Sequence, residues 1–362
     1  MDFSEYTGPS DEWIALERDL PPPPDLTTEE LKVAVNKGRE DIAARAMVEQ
    51  GLSAKVTIRD YRIPTRDGSS IEARSYRPVD VDDSTRLPVY IHLHGGGFLF
   101  GTLASEDAIC ARIVVSLAEQ GVPIVVVNVN YRHTPEHKYP VAWNDTEDAF
   151  HWVHDHLDAL GGEGASVVMG GISAGAWLTA STVLAQHLGG GDKALADRPK
   201  IKGQVLMIPG LVHYGCYEPQ LRRLRDPSVS SWVQNRDAPV LPLERVKLFT
   251  GLLGVHGGKE VEGDLRLNPG NATAEQVRGL PPATFGVAGR DPLRDEGLLF
   301  AQLLSENGVP TQTNVFRGVP HGFRRFGDRL SVCEKWDEVM VDGIKWALGE
   351  AKPGPFEIHA FG

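Results

Sequence analysis

The chain of 362 residues holds only three cysteines, Cys110, Cys216 and Cys333, widely separated and odd in number. No C-x-x-C spacing occurs, so neither a zinc knuckle nor a disulfide framework is indicated. Runs of Lys and Arg are also missing: 37 basic residues stand against 49 acidic ones, a formal net charge of −12. That balance argues against nucleic acid or an anionic membrane surface as a partner, and chiefly keeps the surface soluble. No stretch approaches the ~18 uninterrupted apolar residues of a membrane span. The first residues, Met1-Asp2-Phe3-Ser4-Glu5, lack the basic and apolar regions of a secretory signal, so a cytosolic protein is expected. His151, His154 and His156 are spaced by three and two, so only the first pair shares a helical face, and no nearby Cys completes a site. His92 and His94 share a strand face without a third ligand. Neither a metal nor a cofactor is implied.

What is present reads as an ordinary soluble protein, 41% apolar and 24% charged, long enough for one large α/β domain with insertions or for two domains. Residues 1 to 24 look irregular and end in Pro21-Pro22-Pro23-Pro24, a stiff extended segment. Thr27 with Glu30 forms a capping box for a helix running to about Gln50, whose Leu31, Val33, Val35, Ile42, Ala43 and Met47 should dock it on the rest. Strands are predicted at 55–63 and 70–77 around the turn Arg66-Asp67-Gly68. From Leu87 the chain alternates. Strands at 89–93, 123–129, 166–170, 203–208, 283–288 and 311–316 are interleaved with helices at 105–119, 141–159, 175–188, 294–307 and 329–348. The pattern predicts a mostly parallel, doubly wound sheet with an antiparallel hairpin at its start.

The segment 212–265 interrupts that alternation with Arg222, Arg223, Arg225, Trp232 and the amphipathic run Leu243–Phe249. A long excursion between two core strands is read as a cap over the carboxyl edge of the sheet, where such folds bind ligands. The expected organisation is an N-terminal cap segment at 1–50, a first core part at 51–211, the cap insertion at 212–265 and a second core part at 266–362.

Four motifs carry the chemistry: His94-Gly95-Gly96-Gly97, Gly171-Ile172-Ser173-Ala174-Gly175, Asp291-Pro292-Leu293 and His321-Gly322-Phe323. Alone each is weak; with 39 glycines, roughly 0.2 G-x-S-x-G matches and about 0.015 H-G-G-G matches arise from composition. Together and in this order they supply an oxyanion-binding loop, a nucleophile, an acid and a base. Ser173 sits between a strand and a helix, where Gly171 and Gly175 permit the sharp turn and the helix N-terminus favours developing negative charge. The amides of Gly96, Gly97 and Ala174 are the candidate oxyanion donors, and His94 braces the loop by hydrogen bonding. Asp291 stands at a strand's carboxyl end and is preferred over Asp295 as the acid, although Asp followed by Pro is also an ordinary helix cap. His321, in a loop flanked by Pro320 and Gly322, would take the Ser173 proton while Asp291 holds its tautomer.

On these residues the chain resembles the hormone-sensitive-lipase-like family of α/β-hydrolases over about residues 55 to 350. Tyr131-Arg132-His133-Thr134-Pro135-Glu136-His137, continuing to Pro140 and Asp145, is similar to the family's Y-R-L-A-P-E-H stretch, and Asp291–Gly297 matches its acid segment at every position. The resemblance implies an α/β-hydrolase fold, a two-part cap, and esterase activity on short to medium acyl or aryl esters without a metal. The family often has Asp or Thr in place of Ile172, Gly in place of Ala176, and a smaller, often polar residue in place of Trp177, which is expected to pack against the sheet. His133 and Thr134 replace Leu-Ala.

The leading expectation is a carboxylic-ester hydrolase working through an acyl-enzyme on Ser173, acting on a small-molecule ester as monomer or homodimer. The same triad would serve amides, formamides, lactones or thioesters, or acyl transfer to an acceptor other than water. A ligand receptor built on a dead hydrolase is disfavoured, because receptors related to this family lack the base that His321 supplies here.

Overall fold

A computed structural model describes residues 1–21, 26–190 and 193–362; most of the Pro21–Pro24 segment lies outside them. Nine strands form one sheet in the order β1-β2-β4-β3-β5-β6-β7-β8-β9. They are β1 (Val56–Pro64), β2 (Ser70–Pro78), β3 (Leu87–Leu93), β4 (Val125–Asn130), β5 (Gly162–Ile172), β6 (Gly203–Met207), β7 (Ala283–Arg290), β8 (Thr311–Pro320) and β9 (Ile358–Phe361). β1 and β2 form the expected hairpin, β2 pairs antiparallel with β4, and every other pairing is parallel. This is the α/β-hydrolase fold.

Period-two burial explains why the central strands read as continuous apolar runs. Val89, Ile91 and Leu93 of β3, with Val125, Val127 and Val129 of β4, enter one core; Tyr90 and Val126 enter the other. The first core is covered by α4 (Val141–Asp155), α5 (Ala174–Leu188) and α7 (Arg294–Glu306), the second by α1 (Asp11–Arg18), α2 (Thr28–Glu49), α3 (Asp107–Glu119) and α8 (Val332–Leu348). The segment 212–265 contributes several single-turn helices and α6 (Leu243–Leu252), which contains the predicted amphipathic run.

Several expectations need correction. Residues 11–18 are helical rather than irregular: Ser10 caps the turn, accepting from the Trp13 N–H at 3.2 Å, and Trp13 and Leu16 are buried. β9 pairs beside β8 at the sheet edge, too short to declare itself by periodicity. α4 stops at Asp155, with a separate turn at Leu157–Leu160. α2 has its capping box, Thr27 N–H to Glu30 Oε2 at 2.9 Å and Glu30 N–H to Thr27 Oγ1 at 3.3 Å. Yet it docks largely through polar groups: only Ala43 and Met47 are buried, while Val33 is 66% exposed. Arg39, Asn36 and Glu40 hold it instead, reaching Glu106, the Gly101 amide and Thr102 respectively.

The two predicted cap pieces also touch. The Met1 ammonium donates to Arg223 O at 2.7 Å, Arg225 pairs with Asp2 at 2.8 Å, and Thr7 donates to Gln234 Oε1 at 2.9 Å.

Trp13 is fully enclosed against Phe326, at 5.4 Å between ring centroids, in the segment that follows His321. Trp13→Ala is expected to cost about 3–5 kcal/mol of stability through the cavity it leaves, read as a lowered urea midpoint with an unchanged m-value.

Candidate active site

β5 ends at Ile172 and α5 begins at Ala174, leaving Ser173 alone to reverse the chain, with φ 55° and ψ −114°. That is an unfavourable conformation for a residue with a Cβ, and the surroundings must hold it. Ser173 N–H donates to Met207 O on β6 at 2.8 Å, and Ser173 O accepts from Trp177 N–H at 3.0 Å. The flanking glycines are there for close approach: a Cβ on Gly171 would stand 2.6 Å from Leu93 O, and one on Gly175 2.6 Å from His94 O. The elbow is therefore packed backbone to backbone against the end of β3.

Asp291 and His321 arrive from the ends of β7 and β8. His321 Nδ1 lies 2.7 Å from Asp291 Oδ2, and His321 Nε2 lies 2.9 Å from Ser173 Oγ. A carboxylate only accepts, so Nδ1 carries the proton and the Nε2 lone pair faces the serine hydroxyl. Asp291 is 1% exposed and Ser173 and His321 are 9% and 8% exposed, so the chain of hydrogen bonds lies largely out of water. Asp291 Oδ1 also accepts from Leu293 N–H at 2.9 Å. It does not cap α7, whose N-cap is Leu293. The rival acid is committed elsewhere: Asp295 pairs with Arg294 at 2.8 Å and accepts from Ser231 N–H at 2.6 Å. Glu296 is buried beside Asp291, and burial holds its carboxyl well above the usual range, with one oxygen accepting from Leu211 N–H at 3.0 Å.

Gly95 to Gly97 turn back over this edge, with φ of 141° at Gly96 and 61° at Gly97. Among the described residues, none accepts a hydrogen bond from the N–H of Gly96, Gly97 or Ala174. Arg39 Nη1 donates to Gly95 O at 2.9 Å. In a trans peptide the N–H points away from the preceding carbonyl, so an anchored Gly95 C=O turns the Gly96 N–H to the opposite side. Arg39 Nη2 meets Glu106 Oε1 at 2.7 Å, and the other Glu106 oxygen meets His92 Nε2 at 2.9 Å. Against its burial, that His92 bond and the Arg39 charge hold Glu106 down at about 2.

His94 lies flat on the Tyr131 ring, with centroids 4.3 Å apart, and Tyr131 Oη donates to His94 O at 2.7 Å. Its Nδ1 donates to Gly95 O at 3.2 Å, which leaves Nε2 to accept from His133 Nε2 at 3.4 Å. His133 and Thr134 thus have a local task that their sequence did not reveal, since Thr134 N–H and Oγ1 both donate to Phe98 O as well. Trp177 is 5% exposed, donates to Leu267 O at 2.7 Å and meets Phe98 edge-on, so these contacts are with loops that flank the sheet. The Phe249 ring on α6 occupies the space a Gly97 side chain would need. Arg39, Glu106 and Phe249 carried no motif, and only the tertiary contacts bring them to the loop. A cavity of about 530 Å³ lies beyond His133, lined by Lys32, Asn36, Glu72 and His137 among others but not by Ser173 or His321. Of the α4 histidines and their neighbour, His151 Nδ1 accepts from Arg198 at 3.0 Å and His156 Nδ1 donates to Trp152 O at 2.8 Å.

Burial pushes His94 down to about 4, so the folded protein keeps it neutral where the unfolded chain takes up a proton below about 6.5. Stability should therefore fall as pH drops from about 6.5 towards 4, by roughly 3 kcal/mol from this group. Denaturation midpoints across that interval should fall less steeply in His94→Asn.

The family model described as alpha/beta hydrolase fold matches residues 90–325. Esterase LipI of Mycobacterium tuberculosis is 31% identical, with 81% of this chain and 83% of that protein covered. Carboxylesterase NlhH of the same organism is 32% identical, with 78% and 82% covered. The solved hyperthermophilic esterase from Pyrobaculum calidifontis superposes with a TM-score of 0.70 at 29% identity, with 93% of this chain and 98% of that one covered. No helix among the described residues is long and apolar enough to cross a membrane. Matched over most of its length and carrying the hydrogen-bonded Ser173, His321 and Asp291, the chain belongs to the hormone-sensitive-lipase-like family of α/β-hydrolases and is a serine hydrolase of the carboxylesterase type.

Proposed function

We propose that the protein hydrolyses small to medium acyl or aryl esters through an acyl-enzyme on Ser173. The observation that carries this reading is the pair of short bonds through His321, 2.9 Å to Ser173 Oγ and 2.7 Å to Asp291. His321 Nε2 takes the hydroxyl proton as Oγ attacks the ester carbonyl, and Asp291 stabilises the imidazolium. The carbonyl oxygen becomes an oxyanion, received by the unpaired N–H groups of Gly96, Gly97 and Ala174 at the α5 N-terminus. Collapse expels the alcohol, which leaves with the proton from His321. Water, deprotonated by the same imidazole, then attacks the acyl group; acid departs and Ser173 regains its proton.

His94 and Gly95 support the oxyanion loop in this reading, and Gly171 and Gly175 support the elbow. The division into a cap segment at 1–50, core at 51–211, cap insertion at 212–265 and core at 266–362 is likewise our proposal, favoured by the contacts between residues 1–7 and 223–234. The cap would exclude bulk water and select the acyl or alcohol group. The cytosol suits a chain whose three buried cysteines are all free.

A 4-nitrophenyl ester series of increasing acyl length tests the proposal. Turnover should be highest for short to medium chains, and Ser173→Ala or His321→Ala should reduce kcat by about 10⁴-fold or more. Asp291→Asn should reduce it by about 10³–10⁴-fold, since an amide partner stabilises the wrong tautomer. A phosphonate inhibitor should give a covalent adduct mapped by mass spectrometry to Ser173. Turnover that survives these substitutions, or an adduct elsewhere, would refute the mechanism.

A further inference from the structure

Three guanidinium groups gather where the cap meets the His321 loop. Arg39, on α2, holds the Gly95 carbonyl behind the glycine loop. Arg325 follows His321 by four residues; its Nε donates to Gly322 O at 3.1 Å, and its Nη2 stands 2.9 Å from where a Gly322 Cβ would be. Arg245 lies one helical turn before Phe249 on α6, so the two share a face, and Phe249 is the ring seated over Gly97. Crowding by protein, followed by the charges of Arg39 and Arg245, pulls Arg325 down to about 10, so it remains cationic at neutral pH. Its surface is nevertheless exposed. Its guanidinium is therefore open to a ligand arriving from solvent.

These charges are unequally answered. Glu106 meets Arg39 at 2.7 Å. Among the described residues, no carboxylate lies within ion-pair distance of Arg245 or Arg325. Arg245 donates to Val240 O at 3.0 Å, and Arg325 lies 5.9 Å from the Phe326 centroid. Like charges held together without a counter-charge repel, and an anion placed between them relieves the repulsion. A guanidinium fork also matches the two oxygens of a carboxylate.

We propose that the substrate carries a free carboxylate beside its ester bond, and that Arg245 and Arg325 bind it at the entrance to Ser173 and His321. The inference rests on the esterase reading and narrows it to esters whose acyl or alcohol portion is an acid. It places the selectivity of the cap in charge, within a chain whose overall balance is −12.

The test compares matched esters differing only in that charge. Mono(4-nitrophenyl) adipate against 4-nitrophenyl hexanoate places the carboxylate on the acyl side; 4-acetoxybenzoate against its methyl ester places it on the alcohol side. In one of the two pairs the anionic ester should have a kcat/KM about 10–100-fold higher, the range of a charge-assisted hydrogen bond. That ratio should fall towards one in Arg245→Gln and Arg325→Gln and should decline with added salt. Arg325→Lys should keep part of it, which separates charge recognition from damage to the loop. Calorimetric binding of monomethyl and dimethyl adipate to Ser173→Ala reads the same preference without turnover, so it still decides the matter if ester hydrolysis itself fails. Ratios at or below one in both pairs, or ratios that persist in both glutamine variants, would overturn the proposal while leaving hydrolysis of neutral esters intact.

Discussion

The structure depends on one close approach between two pieces of main chain. The carbonyls of Leu93 and His94, at the end of β3, lie against the α-carbons of Gly171 and Gly175 with no room for a side chain on either. This contact joins the glycine loop to the Ser173 turn as one body. It also holds Ser173 in a backbone conformation that it would not keep alone, because β5 on one side and α5 on the other are both pinned to β3. Gly95 extends the seam, facing Ile172 O where a Cβ would lie only 2.8 Å away. A displacement of either strand end would separate the Ser173 turn from the glycine loop.

Around this seam the protein spends polar contacts where a core would spend apolar ones. α2 buries little, yet it is tied to the loop by Arg39 on Gly95 O, Asn36 on the Gly101 amide and Glu40 on Thr102. Glu106 collects Arg39 and His92 at zero side-chain exposure, a buried carboxylate made tolerable by two partners. Such contacts are directional, so they fix where a carbonyl or an N–H points, which apolar packing does poorly. The Tyr131–Thr134 stretch works similarly from the other side, through Tyr131 on His94 O and Thr134 on Phe98 O.

Much of this was legible beforehand. The central strands were readable because both faces of β3, β4 and β5 are buried, which forces β-branched runs. Ser173, Asp291 and His321 were readable because each stands directly after a strand, where chain order and local turn chemistry are visible in a short window. Asp291 and Asp295 stand four residues apart and differ only in their tertiary contacts, the first with His321 and the second with Arg294 and Ser231. α1 escaped notice because eight residues give too few turns for a periodic pattern, and β9 because four residues match any template. For α2, the apolar residues suggested a greasy seat, but Val33 and Ile42 face solvent.

By itself the sequence determined the order of strands and helices, the strand-end positions of Ser173 and His321, and the glycines that close approach at the Ser173 turn requires. These follow from local periodicity and from steric demands written into neighbouring residues. Only the tertiary structure decided which carboxylate faces His321, that Arg39 holds the Gly95 carbonyl, and that Phe249 closes over Gly97. Those pairings join positions tens to hundreds of residues apart, and no local propensity selects a partner at such a distance. They are set by how distant segments such as α2 and α6 fold back towards the strand ends, a property of the whole chain.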